Sequence, residues 1–102
     1  VKNESKDYQG AISDFTKAIE VDPNYVNAYT NRGISTGQLK DYQGSIVDFT
    51  KAIEIDPKHA LAYFNRGISK YLLEDLKGAC RDWRKAADLG NQRSAEWVKK
   101  QC

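Results

Sequence analysis

Three residues carry the side chains best suited to bond-making chemistry: Cys80, Cys102 and His59. A cysteine thiolate is a nucleophile or a metal ligand, and a histidine can serve it as a base. With two cysteines and one histidine in the chain, neither number nor spacing matches a zinc site or a disulfide framework. A bond between Cys80 and Cys102 is open, but nothing in the sequence supports it. Cys80 falls in register with Ile12 and Ile46 of the repeat described below, which reads as a buried, inert thiol. Cys102, at the chain end, has no evident role. His59 stands in register with Tyr25 at a helix start, where a surface or packing role is expected. No nucleophile, base and orienting group share a pattern, and no glycine-rich phosphate loop is present. The expectation is recognition without catalysis, cofactor or metal.

The elements that position these residues are set by an internal repeat. DYQGAISDFTKAIEVDP begins at Asp7, DYQGSIVDFTKAIEIDP at Asp41 and a degraded copy, DLKGACRDWRKAADLGN, at Asp75. The starts are 34 residues apart, and residues 7–40 match 41–74 at 22 of 34 positions. AYTNRGIS from Ala28 likewise matches AYFNRGIS from Ala62.

Each unit reads as two helices. Tyr42, Ile46, Phe49 and Ile53 follow the three-and-four spacing of an amphipathic helix. Asp41 is its expected N-cap, and Asp56 before Pro57 its stop, because a residue preceding proline is pushed out of the helical region. Pro23 does the same one unit earlier, and Gly90 with Asn91 replaces the proline stop in the third copy. The expected helices are Tyr8 to Val21, about Asn24 to Leu39, a helix after Asp41, about His59 to Leu73, a helix after Asp75, and about Gln92 to Gln101. Gly33 and Gly67 suggest close helix contacts, read as facing Ser45 and Ala79. The Lys, Asp and Glu residues of each second helix read as a solvated face.

Period and residues together resemble the tetratricopeptide repeat family. Its pattern is matched by Tyr29, Gly33, Ser45, Phe49, Ala52 and Pro57. It is matched again by Tyr63, Gly67, Ala79, Trp83 and Ala86, and in part by Ala11, Phe15, Ala18 and Pro23. The leucine expected before the small glycine is Arg32 or Arg66; their stems should cover neighbouring rings while the guanidinium reaches solvent or a carboxylate. The resemblance implies an all-α fold, an α-solenoid of stacked antiparallel helix pairs with a C-terminal capping helix. The units are 1–25 (partial), 26–59, 60–93 and a terminal helix over 94–102, which carries Trp97 in the slot of Tyr29 and Tyr63.

The same resemblance implies a protein or peptide partner on the concave face. Carried over slot by slot, that face holds Asn27, Thr30, Asn31, Ile34 and Gln38, then Leu61, Phe64, Asn65, Ile68, Tyr71 and Leu72, with Val98 and Lys99 from the terminal helix. Asn27, Thr30, Gly37 and Gln38 become Leu61, Phe64, Tyr71 and Leu72 one unit later. This apolar stripe has two readings: packing under the terminal helix or against a neighbouring molecule, or an apolar pocket for a partner. Some family members clamp a chaperone's carboxylate tail with Lys, Asn and Arg. Asn31 or Asn65 could match the central asparagine and Lys99 a basic slot. Thr30, Ile34 and Leu61 do not fit, so a full clamp is not expected.

Charge supports the same class. Sixteen basic against fourteen acidic residues leave +2, no footprint for nucleic acid, and the basic stretch 81–102 reads as a solvated face. No apolar run approaches the ~18 residues of a membrane span. The compartment stays open, with the cytoplasm as first expectation. The alternative function is a structural or oligomerising scaffold. Val1 to Ser5 can supply only the tail of a first helix. The stripe Ile12, Phe15 and Ile19 is therefore expected to be covered by a second copy, an exchanged helix or upstream sequence.

Overall fold

The structure, a computed structural model, describes residues 7–102. It contains six helices: α1 (Tyr8–Val21), α2 (Val26–Gln38), α3 (Tyr42–Ile55), α4 (Ala60–Leu72), α5 (Leu76–Asp88) and α6 (Gln92–Gln101). No strand occurs among the described residues. The expectation for Val1 to Ser5 lies outside them.

The caps recur with the sequence period. Asp7, Asp41 and Asp75 each accept a hydrogen bond from the backbone N–H of the glycine three residues on, at 2.9, 3.0 and 3.0 Å. Each such cap stabilises its helix by about 1 kcal/mol. After α1 and α3 the chain turns extended at Asp22 and Asp56. Their carboxylates accept from the N–H of Asn24 and Lys58 at 3.1 Å. After α5 the stop is Gly90 at φ 103°, a conformation glycine adopts without a steric penalty. Asn91 then caps α6, accepting from Ser94 at 2.7 Å. Lys40 and Glu74, one period apart, both take φ 67°. Each closes its helix with a long-range turn bond, Asp41 N–H to Thr36 O at 3.1 Å and Asp75 N–H to Lys70 O at 2.8 Å.

Helices adjacent in sequence pack on one another, and α2 also touches α4. One core cluster joins Tyr29, Ala52 and Ala62, with Ile19 and Ile53 against it. The other joins Phe64, Ala79, Trp83 and Ala86, with Tyr63, Ile68, Trp97 and Val98 packed on it.

The nearest neighbours of the two glycines are rings. A Cβ at Gly33 would lie 2.7 Å from the Phe49 ring, and one at Gly67 would lie 2.5 Å from Trp83 Nε1. The large ring one turn further along the second helix lies over the glycine, and Trp83 donates its indole N–H to Phe64 O at 3.3 Å. Ser45 meets Ser69 across the α3–α4 joint, Oγ to Oγ 2.7 Å, both buried.

The second helices are not simply solvated on their charged side. Asp48 and Asp82 are 6% and 3% exposed. Arg66 donates to both oxygens of Asp82 at 2.8 Å and to Thr50 Oγ1 at 3.1 Å. Arg32 repeats this with Asp48 at 2.9 and 2.8 Å and Thr16 at 3.2 Å. Their guanidinium carbons sit 5.7 Å from the ring centroids of Tyr63 and Tyr29. The hydrogen bonds to Asp48 and Asp82 raise both arginines above their ordinary pKa, against an opposing desolvation. Compensation for each buried carboxylate comes from a residue 16 positions earlier, which the pattern of one helix does not display.

Cys80 is buried as expected, at 5% exposure, but it is not a free thiol. It is bonded to Cys102, 22 positions later in the sequence, with Cα atoms 5.9 Å apart. The α5–α6 hairpin turns at Gly90 and Asn91, so the end of α6 returns to the beginning of α5 and brings the two cysteines together.

Candidate functional site

The residues expected on the concave face do not all fall together. Ile34, Gln38, Asn65, Ile68 and Leu72 line one opening of about 290 Å³ between α2 and α4. Ile68, Tyr71 and Leu72 line a second, of about 460 Å³, between α4 and α6. Ile68 and Leu72 belong to both, so the openings adjoin. Asn27, Asn31 and Leu61 are exposed but line neither.

Thr30 and Phe64 are corrections, because neither offers a surface to a ligand. Thr30 is 2% exposed; its hydroxyl bonds Val26 O at 3.2 Å and lies 3.0 Å from His59 Nε2. That contact accounts for His59, which braces the start of α4 against α2. Phe64 is 6% exposed, its ring 5.1 Å from Trp97 and its face 5.9 Å from the Arg93 guanidinium. For Phe64 the packing reading of the apolar stripe is the one realised. The replacements at Tyr71 and Leu72 stay 43% and 49% exposed. Val98 packs on the core and Lys99 is exposed.

An aromatic series runs under the second opening. Tyr71 lies 5.7 Å from Trp83, and Trp83 lies 5.1 Å from Trp97 in an edge-on arrangement. Trp97, Lys100, Lys40 and Tyr42 line the openings although the sequence did not nominate them for the face. Register was the available signal: Trp97 repeats the slot of Tyr29 and Tyr63, and Lys100 that of Arg32 and Arg66. Lys40 is the one charged residue lining the first opening, and Lys100 the one lining the second. No carboxylate lines either. Such a surface can seat apolar side chains and attract negative charge.

The stripe of α1 is only half-buried at Ile12, Phe15 and Ile19. Ile19 packs on the Tyr29 cluster. Among the described residues no group of His, Cys, Asp or Glu is arranged to hold a metal ion. No described helix is long and apolar enough to cross a membrane.

Comparison with known proteins agrees with this architecture. Residues 1–39 match a family model described as TPR repeat, and residues 26–59 one described as tetratricopeptide repeat. No curated protein sequence matches the chain. Among solved structures, the TPR domain of Arabidopsis OM64 is 32% identical, with TM-score 0.90, over 95% of this chain and 81% of that one. The first TPR of Spaghetti (RPAP3), bound to the HSP90 peptide SRMEEVD, is 26% identical, with TM-score 0.86, over 91% and 75%. The second TPR of Spaghetti (RPAP3), bound to the same peptide, is 27% identical, with TM-score 0.79, over 80% and 76%. With its 34-residue period, stacked helix pairs and glycines lying under aromatic rings, the chain belongs to the tetratricopeptide repeat family.

Proposed function

We propose that this domain is a protein-interaction module that holds an extended peptide along the face shared by α2, α4 and α6. The observation that carries this reading is the pair of adjoining openings, with Tyr71 and Leu72 exposed beside them. Large apolar side chains held in water at the rim of a concavity gain most from a partner that covers them. The likeness to the two Spaghetti domains, solved with an HSP90 peptide, supports a peptide as the occupant. The means of holding it differs from a carboxylate clamp. Thr30 is buried, Ile34 and Leu61 are apolar, and only Asn31, Asn65 and Lys99 suit such a set.

The test is a display selection of random peptides on the folded domain, followed by mapping of backbone amide shifts. Shifts concentrated on α2, α4 and α6 support the reading. Selected peptides that shift only the outer faces of α3 and α5 would reject it.

A further inference from the structure

A third opening, of about 370 Å³, lies between the beginning of α5 and the end of α6. Cys80 and Cys102 both line it, together with Lys77, Arg81 and Arg84, and no acidic side chain does. It shares only Gln101 with the α4–α6 opening, so it is separate from the proposed peptide face.

The bond and the charges arise together. Cys80 and Cys102 stand in register with Ile46 and Ile68, and Lys77, Arg81 and Arg84 with Gln43, Val47 and Thr50. One unit earlier the same seam is neutral and carries no sulfur. These slots are open within the stack as well: Gln43 and Val47 are exposed and Ile46 and Ile68 partly so, with later helices packed beyond them. No ion pair among the described residues engages Lys77, Arg81 or Arg84, so their charge is not cancelled there.

A disulfide bordered by cations is an electrophile placed for an anion. The attacking thiolate is negative, cleavage produces a second thiolate, and positive charge favours both. Cys102 is exposed and Cys80 buried, so the Cys102 sulfur is the one open to attack.

We infer that the Cys80–Cys102 bond is a thiol–disulfide exchange site that takes small anionic thiols. The incoming sulfur bonds to Cys102 Sγ, the bond to Cys80 breaks, and its electron pair leaves on Cys80 Sγ as a thiolate in the basic opening. A carboxylate on the incoming thiol pairs with the cations that line it. A second thiolate then attacks the incoming sulfur, forming the external disulfide and releasing Cys102. Two external thiols are oxidised, one protein disulfide is reduced, and the two protons lost by the thiols pass through water to the cysteines.

The test uses the air-oxidised 102-residue chain and three small thiols: anionic 3-mercaptopropionate, neutral 2-mercaptoethanol and cationic cysteamine. Mass spectrometry after an acid quench follows adducts and free cysteines. Each rate is divided by that of the same thiol on a small neutral disulfide, which removes differences in intrinsic nucleophilicity. The anionic thiol is expected to be fastest and the cationic one slowest, about tenfold apart at low salt and nearly level in about 0.5 M salt. The first adduct should sit on Cys102. Arg81→Glu should level the three rates; the position is exposed, and unchanged helicity will show that the variant folds. If it does not fold, Lys77→Gln, also exposed, carries the same comparison with a smaller effect. Two free thiols in the oxidised chain, a bond untouched by all three reagents, or a first adduct on Cys80 overturns the inference. Corrected rates indifferent to the charge of the thiol, or to loss of the cation on α5, overturn it as well.

Discussion

Arg66 and Asp82 meet through two parallel hydrogen bonds of 2.8 Å across the α4–α5 joint, and the same guanidinium reaches Thr50 on α3. One side chain thus ties three successive helices. Lys70 adds a second cation 3.1 Å from Asp82. Asp82→Ala would leave two cations facing a largely buried site, and breaking a buried pair costs about 3–5 kcal/mol. The Asp48→Ala change leaves only Arg32, whose side chain is 23% exposed against 17% for Arg66. It should cost less. Urea midpoints of the two variants check the order; equal midpoints would remove Lys70 and burial from the account.

Gly67 and Gly37 lie on neighbouring units and should respond oppositely to alanine. At Gly67 the new methyl meets the Trp83 indole at 2.5 Å, and Trp83 is buried and tied to Phe64 O through its indole N–H. Overpacking of this kind costs about 1–3 kcal/mol, more than the ~1 kcal/mol that alanine contributes over glycine in a helix. At Gly37 the nearest atom would be Ser45 Cβ at 3.8 Å, an ordinary contact. Gly37→Ala is expected to raise the denaturation midpoint and Gly67→Ala to lower it. A rise in both would mean that Trp83 is not held against the glycine.

The fold was legible because its rules are local and repeated. Asp41 before a glycine, Asp56 before a proline, and a 34-residue echo of both set helix ends that agree closely with those observed. Contacts between helices were harder to read. Gly33 was paired with Ser45 on size, but the partner of a small residue can be a ring lying over it, as Phe49 does. Asp48 carried the signature of a solvated face because its cation is on another helix. The candidate face was half legible for the same reason. Register identified Tyr71 and Leu72, yet a single unit cannot tell that α6 will bring Trp97 down on Phe64 and close that slot. The Cys80–Cys102 bond required knowing where the α5–α6 hairpin folds.

The disulfide closes a loop of 22 residues' separation at the end of the last helix. In the chain-entropy account a cross-link of this span contributes about 3 kcal/mol. The ten-residue α6 is too short to hold its helical form without tertiary support. Addition of dithiothreitol should lower the Tm of the native chain to that of Cys102→Ser and leave the variant unaffected. A native Tm that does not move in reductant would show that packing of Trp97 and Val98 alone retains α6.

Phe64 and Tyr71 separate core from proposed binding surface on one helix. Both replace smaller residues of the preceding unit, Thr30 and Gly37. Phe64 is 6% exposed between α5 and α6, whereas Tyr71 is 43% exposed at the mouth of the second opening. Truncating a buried phenylalanine costs about 3–5 kcal/mol, because the lost burial is joined by an unfilled cavity. Truncating a half-exposed tyrosine removes one aromatic contact with Trp83, worth about 0.5–1.5 kcal/mol beyond its area. Phe64→Ala is therefore expected to lower the urea midpoint strongly and to alter the near-ultraviolet signal of Trp97. Tyr71→Ala should leave both close to native while weakening any groove ligand. Ligand binding that survives Tyr71→Ala but fails in a still-folded Phe64→Ala would place the contact under α6 and reject the division drawn between these two rings.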